Sequence, residues 1–219
     1  MKIKRLLHRY KHAWVLLYAF IYMPWFLWLE KNVTKDYFVI HSPLDDYIPF
    51  IEYFIVPYLL WFIFIAITAG YFFLQDTEGF YRLALFLCSG MTLFLILCTV
   101  FPNGLDLRPE VFTRDNIFIQ LVKQVYRADT PTNVLPSIHV FNSLGAYLAI
   151  IHSRELSRMK WVRYGSLALT VSIVLATMFL KQHSIIDVVA AFALGTLMYV
   201  VIYAREPKTS SQLSHQPIY

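Results

Sequence analysis

Cysteine, glycine and charge are all scarce in this chain of 219 residues, which has two Cys, seven Gly and only 15% Asp, Glu, Lys and Arg. Two cysteines cannot staple a small secreted scaffold, and no Cys or His pairs stand at zinc-site spacing. Cys88 and Cys98 fall in one apolar run, where helical geometry would hold them about 15 Å apart, too far to bridge. They read as small buried hydrophobes. The low charge, with 58% hydrophobic residues and a mean hydropathy of +0.53, excludes an ordinary soluble domain. The net charge of +5 does not point to nucleic acid, because Lys and Arg lie in short clusters between apolar runs, as membrane topology signals do.

What is present is a succession of long apolar segments. They run from about Ala13 to Leu29, Ile51 to Leu74, Leu83 to Val100, Pro136 to Ile151, Trp161 to Leu180 and Ile185 to Tyr203. Each is read as a membrane-spanning helix, giving an all-α, polytopic bundle of six transmembrane helices as one domain over residues 1–204. Pro24, Trp25 and Trp28 at the end of the first run argue for a retained span over a cleaved signal, with Trp14, Trp25 and Trp28 as interface anchors. The Ser/Gln/Pro-rich stretch 205–219 reads as a disordered cytoplasmic tail. Asp45-Asp46, between the first two runs, reads as an acidic loop that caps the next helix. The longest polar connection, 101–135, has enough apolar periodicity from Asn116 to Val125 for a short interfacial helix.

With six spans, the two ends and the even-numbered loops carry twelve of the 19 Lys and Arg. That excess marks the cytoplasmic side, so both termini are expected inside a cell membrane. The loop 101–135 and the turn Lys181–Asp187 are then expected outside, at the extracytoplasmic face.

These two loops hold the chemistry. His183 and Asp187, four residues apart, fall on one helical face, where a carboxylate can orient an imidazole and fix its tautomer. Pro136-Ser137-Ile138-His139 opens the fourth span, where free backbone N–H groups can receive an anion and His139 sits in the first turn. Arg108, Lys123, Arg127 and Lys181 add positive charge around them. Two histidines, one carboxylate and several cations suit attack on a phosphoryl group, whose oxygens need neutralising and whose leaving alkoxide needs a proton.

At these residues the sequence resembles the type 2 phosphatidic acid phosphatase superfamily, which includes membrane lipid phosphatases with six transmembrane helices. Its three motifs are Lys, six residues, Arg-Pro; then Pro-Ser-Gly-His; then Ser-Arg, five residues, His, three residues, Asp. Arg108-Pro109 resembles the end of the first, Pro136 to His139 the second, and His183 with Asp187 the end of the third. The resemblance implies that His183 is a nucleophile forming a phosphohistidine, that Asp187 orients it, and that His139 protonates the leaving group and later activates water. It implies that Arg108 and Ser137 bind phosphoryl oxygens, and it implies no metal and no other cofactor. The sequence departs at three places, with Phe101 for the first-motif Lys, Ala176-Thr177 for the third-motif Ser-Arg, and Ile138 for the second-motif Gly. Lys181, Arg127 and Lys123 are the candidates to replace the missing cations. A bulky residue before the His of the second motif is also similar to the branch containing inositol phosphorylceramide synthases.

The resulting expectation is a metal-independent lipid phosphate phosphatase acting on a phosphate monoester or pyrophosphate of a phosphorylated lipid in the bilayer. The alternatives are a head-group phosphotransferase using the same histidine, and a non-catalytic protein that binds anionic lipid.

Overall fold

The computed structural model describes residues 10–204. The tail expected to be disordered, 205–219, and most of the basic start lie outside the described residues. A 3₁₀ helix, Lys11–Tyr18, runs into α1 (Ala19–Asn32). Then come α2 (Ile55–Gln75), α3 (Thr77–Val100), α4 (Ile117–Ala128), α5 (Ile138–His152), α6 (Lys160–Phe179) and α7 (Ile185–Ile202). Among the described residues the fold is all-helical but for two short parallel strands, β1 (Phe38–Val39) and β2 (Asn103–Gly104).

Among the described residues five stretches are long and apolar enough to cross a membrane: Lys11–Asn32, Glu52–Gln75, Thr77–Val100, Lys160–Phe179 and Ile185–Ile202. They turn large apolar side chains outward, among them Phe20, Ile67 and Val100 at 78%, 67% and 79% exposure, a surface compatible with a multi-pass membrane protein. The fourth expected span is shorter. At 15 residues, α5 is about 22 Å long, against a hydrocarbon core of roughly 30 Å.

The shortness of α5 fits its position, because it is the centre of the bundle and packs against α2, α3, α6 and α7. Small residues let those neighbours approach. A Cβ on Gly90 of α3 would lie 2.0 Å from the Phe141 ring, and one on Gly145 of α5 would lie 2.6 Å from Phe86. The two phenylalanines thus each sit over the other helix's glycine, with their rings stacked 4.6 Å apart.

The connections between helices are tied to one another at one end of the bundle. β1 pairs with β2, joining the α1–α2 and α3–α4 connections. The buried Asn103 carries the join further. Its Oδ1 accepts from the backbone N–H of Val134 and Leu135, both at 3.0 Å, and its carbonyl accepts from Asn133 N at 2.7 Å. The segment that enters α5 is thereby held before the helix begins. The amphipathic helix expected from Asn116 is present as α4, with Asn116 as its N-cap accepting from Ile119 N at 2.9 Å.

Candidate active site

The turn between α6 and α7 is built by two capping devices placed end to end. Helix α6 stops at Leu180, and Lys181 follows at φ 54°. Lys181 N donates to Met178 O and Gln182 N to Thr177 O, both at 2.9 Å, the bond pair of a Schellman stop with Lys181 in the left-handed position glycine usually fills. His183 N also reaches Thr177 O, at 3.1 Å. Two residues on, Ser184 begins α7 with a capping box closed by Asp187.

That corrects the expected geometry of the pair. His183 and Asp187 do not share a helical face, since His183 precedes the N-cap. They meet because the capping box folds Asp187 back. Asp187 Oδ2 accepts from Ser184 N at 2.9 Å and lies 3.4 Å from His183 Nδ1. This orientation leaves Nε2 of His183 free to act on a substrate. Asp187 is fully buried and His183 is 8% exposed.

The second histidine arrives from α5. Ser137 is the N-cap, accepting from Val140 N at 3.4 Å, so Pro136 stands one residue before the cap and His139 falls in the first turn. Ser137 N donates to Asp187 O at 3.2 Å, a direct backbone link between the two histidine-bearing segments. The imidazoles of His139 and His183 lie 5.7 Å apart between centroids. Tyr58 and Trp61 of α2 flank His139 at 4.7 and 4.5 Å.

Both histidines line a cavity of about 410 Å³ bounded by α1, α2, α3 and the segment 125–134. The expected cations stand elsewhere. Lys181 Nζ donates to Asp45 O at 2.7 Å, and burial pulls its ammonium pKa down against the opposing pull of Asp45 and Asp46. Lys123 lies over the Phe112 ring at 5.3 Å. Arg127 is exposed on α4 and, like Lys123 and Lys181, does not line the cavity. Ser137 is fully buried and is also absent from the lining.

Arg108 lies behind the cavity wall. Its Nη1 donates to the carbonyls of Tyr126 (3.3 Å) and Asp129 (2.9 Å), and its Nη2 to Thr130 O (3.2 Å) and to Gln182 Oε1. It therefore ties the end of α4 to the histidine turn. Burial lowers its pKa against the pull of Asp129. Its Nε is buried and carries no hydrogen bond. Gln182 continues the chain, its Nε2 donating to the Tyr58 hydroxyl, which donates in turn to Asp129 Oδ2, each at 3.4 Å.

Several of these residues are not apparent from sequence spacing. Asp45, 1% exposed, caps α7 and not the helix that follows it. Its Oδ2 accepts from the Ser184 hydroxyl at 2.6 Å and its Oδ1 from Ile185 N at 2.9 Å. The Asp45-Asp46 pair was a visible signal, but its target lies 140 residues away. Tyr58 and Trp61 carried no signal apart from the general aromatic richness.

Two histidines and a buried carboxylate thus converge at one end of a bundle whose long apolar helices are compatible with a multi-pass membrane protein. Residues 83–210 match the PAP2 superfamily, and the chain belongs to that family of phosphoesterases. The match runs from within α3 through α7 and includes both histidines, Asp187 and Arg108. No curated protein and no solved structure matches the chain.

Proposed function

We propose that this protein is an integral-membrane lipid phosphatase that cleaves a phosphate ester or pyrophosphate of a lipid through a phosphohistidine on His183. The observation that carries the reading is the convergence of His139 and of His183, backed by the buried Asp187, on one cavity, within a segment matched to a phosphoesterase family.

In the first half-reaction Nε2 of His183 attacks phosphorus. The bond to the leaving oxygen breaks, and that oxygen takes a proton from His139. In the second, His139 takes a proton from water as its oxygen attacks the phosphohistidine, releasing phosphate and restoring both rings. Asp187 supports the positive charge that forms on His183. Arg108 and Ser137 hold the two site segments in place. No step requires a metal ion. The proposed topology has six membrane crossings, with α5 as a short fourth one shielded by its neighbours, both termini in the cytoplasm and the cavity facing outward.

Transfer of the phosphoryl-linked group to an alcohol is the second reading. It is favoured by the aromatic wall of the cavity, where Tyr22, Phe26 and Phe62 offer an apolar bed for an acceptor lipid.

The purified protein is to be assayed on a panel of phosphorylated lipids, with free phosphate and lipid products both measured. His183→Ala is expected to abolish turnover. His139→Ala is expected to accumulate phosphoenzyme, since dephosphorylation needs the same base. Equal residual activity in the two variants, or loss with EDTA and rescue by a divalent ion, would overturn the mechanism. Acceptor-dependent lipid products without free phosphate would select the transferase.

A further inference from the structure

The cavity beside His183 is poorly suited to a bare phosphate. Among the described residues that line it there is no Lys or Arg, and the carboxylates present are Glu30 and Asp129. Arg108 has both terminal nitrogens committed to carbonyls and to Gln182. Phe101 and Thr177, at two positions where the family pattern has cations, supply none. An anion entering alone would meet two acids in a site walled largely by apolar side chains, where charges are weakly screened.

The acids are held in place. Glu30 Oε2 accepts from the Thr130 hydroxyl at 2.5 Å and from Thr130 N at 3.4 Å, and its Oε1 accepts from Asn133 Nδ2 at 2.9 Å. The bond to Glu30 fixes the Asn133 amide, whose Oδ1 is left buried without a donor. Asp129 accepts from Tyr58. This end of the cavity therefore offers hydrogen-bond acceptors and negative charge. Aromatic rings adjoin it: Tyr22 and Phe26 of α1 are stacked 5.8 Å apart, and Tyr58 and Trp61 stand on α2. Carboxylates beside aromatic faces suit an ammonium group, which both attract.

We infer that the cavity takes a zwitterionic phosphate ester, with its phosphoryl group at His183 and a covalently attached ammonium group against Glu30, Asp129 and the neighbouring rings. The inference rests on the proposed histidine chemistry. The substrate then supplies the positive charge that Phe101 and Thr177 lack. Tyr58 sets the spacing, because its ring lies beside His139 while its hydroxyl holds Asp129, so phosphoryl and ammonium sites are one side chain apart. The ammonium can belong to the head-group alcohol of a phosphodiester or to the backbone of an amino-alcohol lipid phosphate.

Binding to the full-length His183→Ala protein in nonionic detergent separates this inference from turnover. Calorimetry is to compare short-chain phosphatidylcholine and an amino-alcohol lipid phosphate with chain-matched phosphatidylglycerol and phosphatidic acid. At least one ammonium-bearing lipid is expected to bind about tenfold or more tighter than its ammonium-free counterpart, and the pair that shows the difference identifies the source. Adding Glu30→Gln, or separately Asp129→Asn, is expected to bring the ratio towards one. Equal or tighter binding of the ammonium-free lipids, no binding of either kind, or a preference that survives both substitutions would overturn the inference. Phosphate release by the wild-type protein, scored separately, bears on the histidine mechanism alone.

Discussion

The carboxylate of Asp45 reaches across 140 residues of sequence to the first turn of α7, where it holds Ser184 and Ile185 beside the histidine turn. Replacing it by Ala strands a buried hydroxyl and two backbone N–H groups, since Ser42 N also donates to it. Asp45→Ala is expected to cost about 2–4 kcal/mol of stability and to lower turnover by roughly ten- to a hundredfold through loss of alignment at His183. Unfolding in detergent and initial rates check the two effects. Lys181→Gly supplies the contrast. Its φ of 54° suits glycine, and its ammonium lies on Asp45 O outside the cavity, so turnover is expected to stay within about twofold. A loss of a hundredfold would make Lys181 a phosphate ligand after all.

Asp129 adds a pH dependence. Burial raises its carboxyl pKa, with Arg108 and His183 pulling the other way. A carboxyl whose folded pKa lies above its unfolded value makes the folded state less stable as pH rises from the unfolded value through the folded one. Asp129→Asn is therefore expected to raise the melting temperature at pH 7.5, with the difference shrinking as pH falls through the raised pKa. Thermal melts from pH 4 to 8 check the sign. The Pro136–His139 and His183–Asp187 patterns were legible in the sequence because each is short and local. The second ring of residues was not, because Asp45, Glu30, Tyr58 and Asp129 come from separate connections and helices and meet only through the fold.

At the scale of elements, α5 shows what apolar periodicity can and cannot reveal. The run was visible, and so was its start at Ser137, whose side chain caps it. Its central place was not, because burial by four neighbours leaves the same apolar composition as burial by lipid. The glycines carry the packing information. Gly145→Ala puts a methyl group against Phe86 and is expected to destabilise by about 1–3 kcal/mol. Gly165→Ala on α6, with nothing within 4 Å of the added carbon, is expected to be neutral or to stabilise by up to about 1 kcal/mol. Paired unfolding curves in detergent test the contrast. The histidine turn belongs to this scale as well: its His–Asp pair was read as a helical face, and a Schellman stop followed by a capping box produces the same adjacency by another route.

For the molecule as a whole, the positive-inside count and the convergence of the loops make a joint statement about sidedness. Val111, 79% exposed in the α3–α4 connection, and the exposed Arg158, between α5 and α6, lie on opposite sides of the proposed bilayer. Single cysteines at these positions, in a background without Cys88 and Cys98, are expected to react with an impermeant thiol reagent from outside intact cells at position 111 only. Labelling at 158 alone would invert the topology while leaving the site intact.

The family match begins at residue 83, yet among the aromatic side chains of the cavity wall only Phe94 follows that point. Tyr22, Phe26, Tyr58, Trp61 and Phe62 all precede it. Most of the aromatic wall is thus written outside the matched segment, while both histidines and Asp129 lie inside it. Variation at Tyr22, Phe26 and Phe62 is expected to alter which lipid the proposed site admits, whereas variation at Asp45, in the same first 82 residues, is expected to reach the histidine turn it is bonded to.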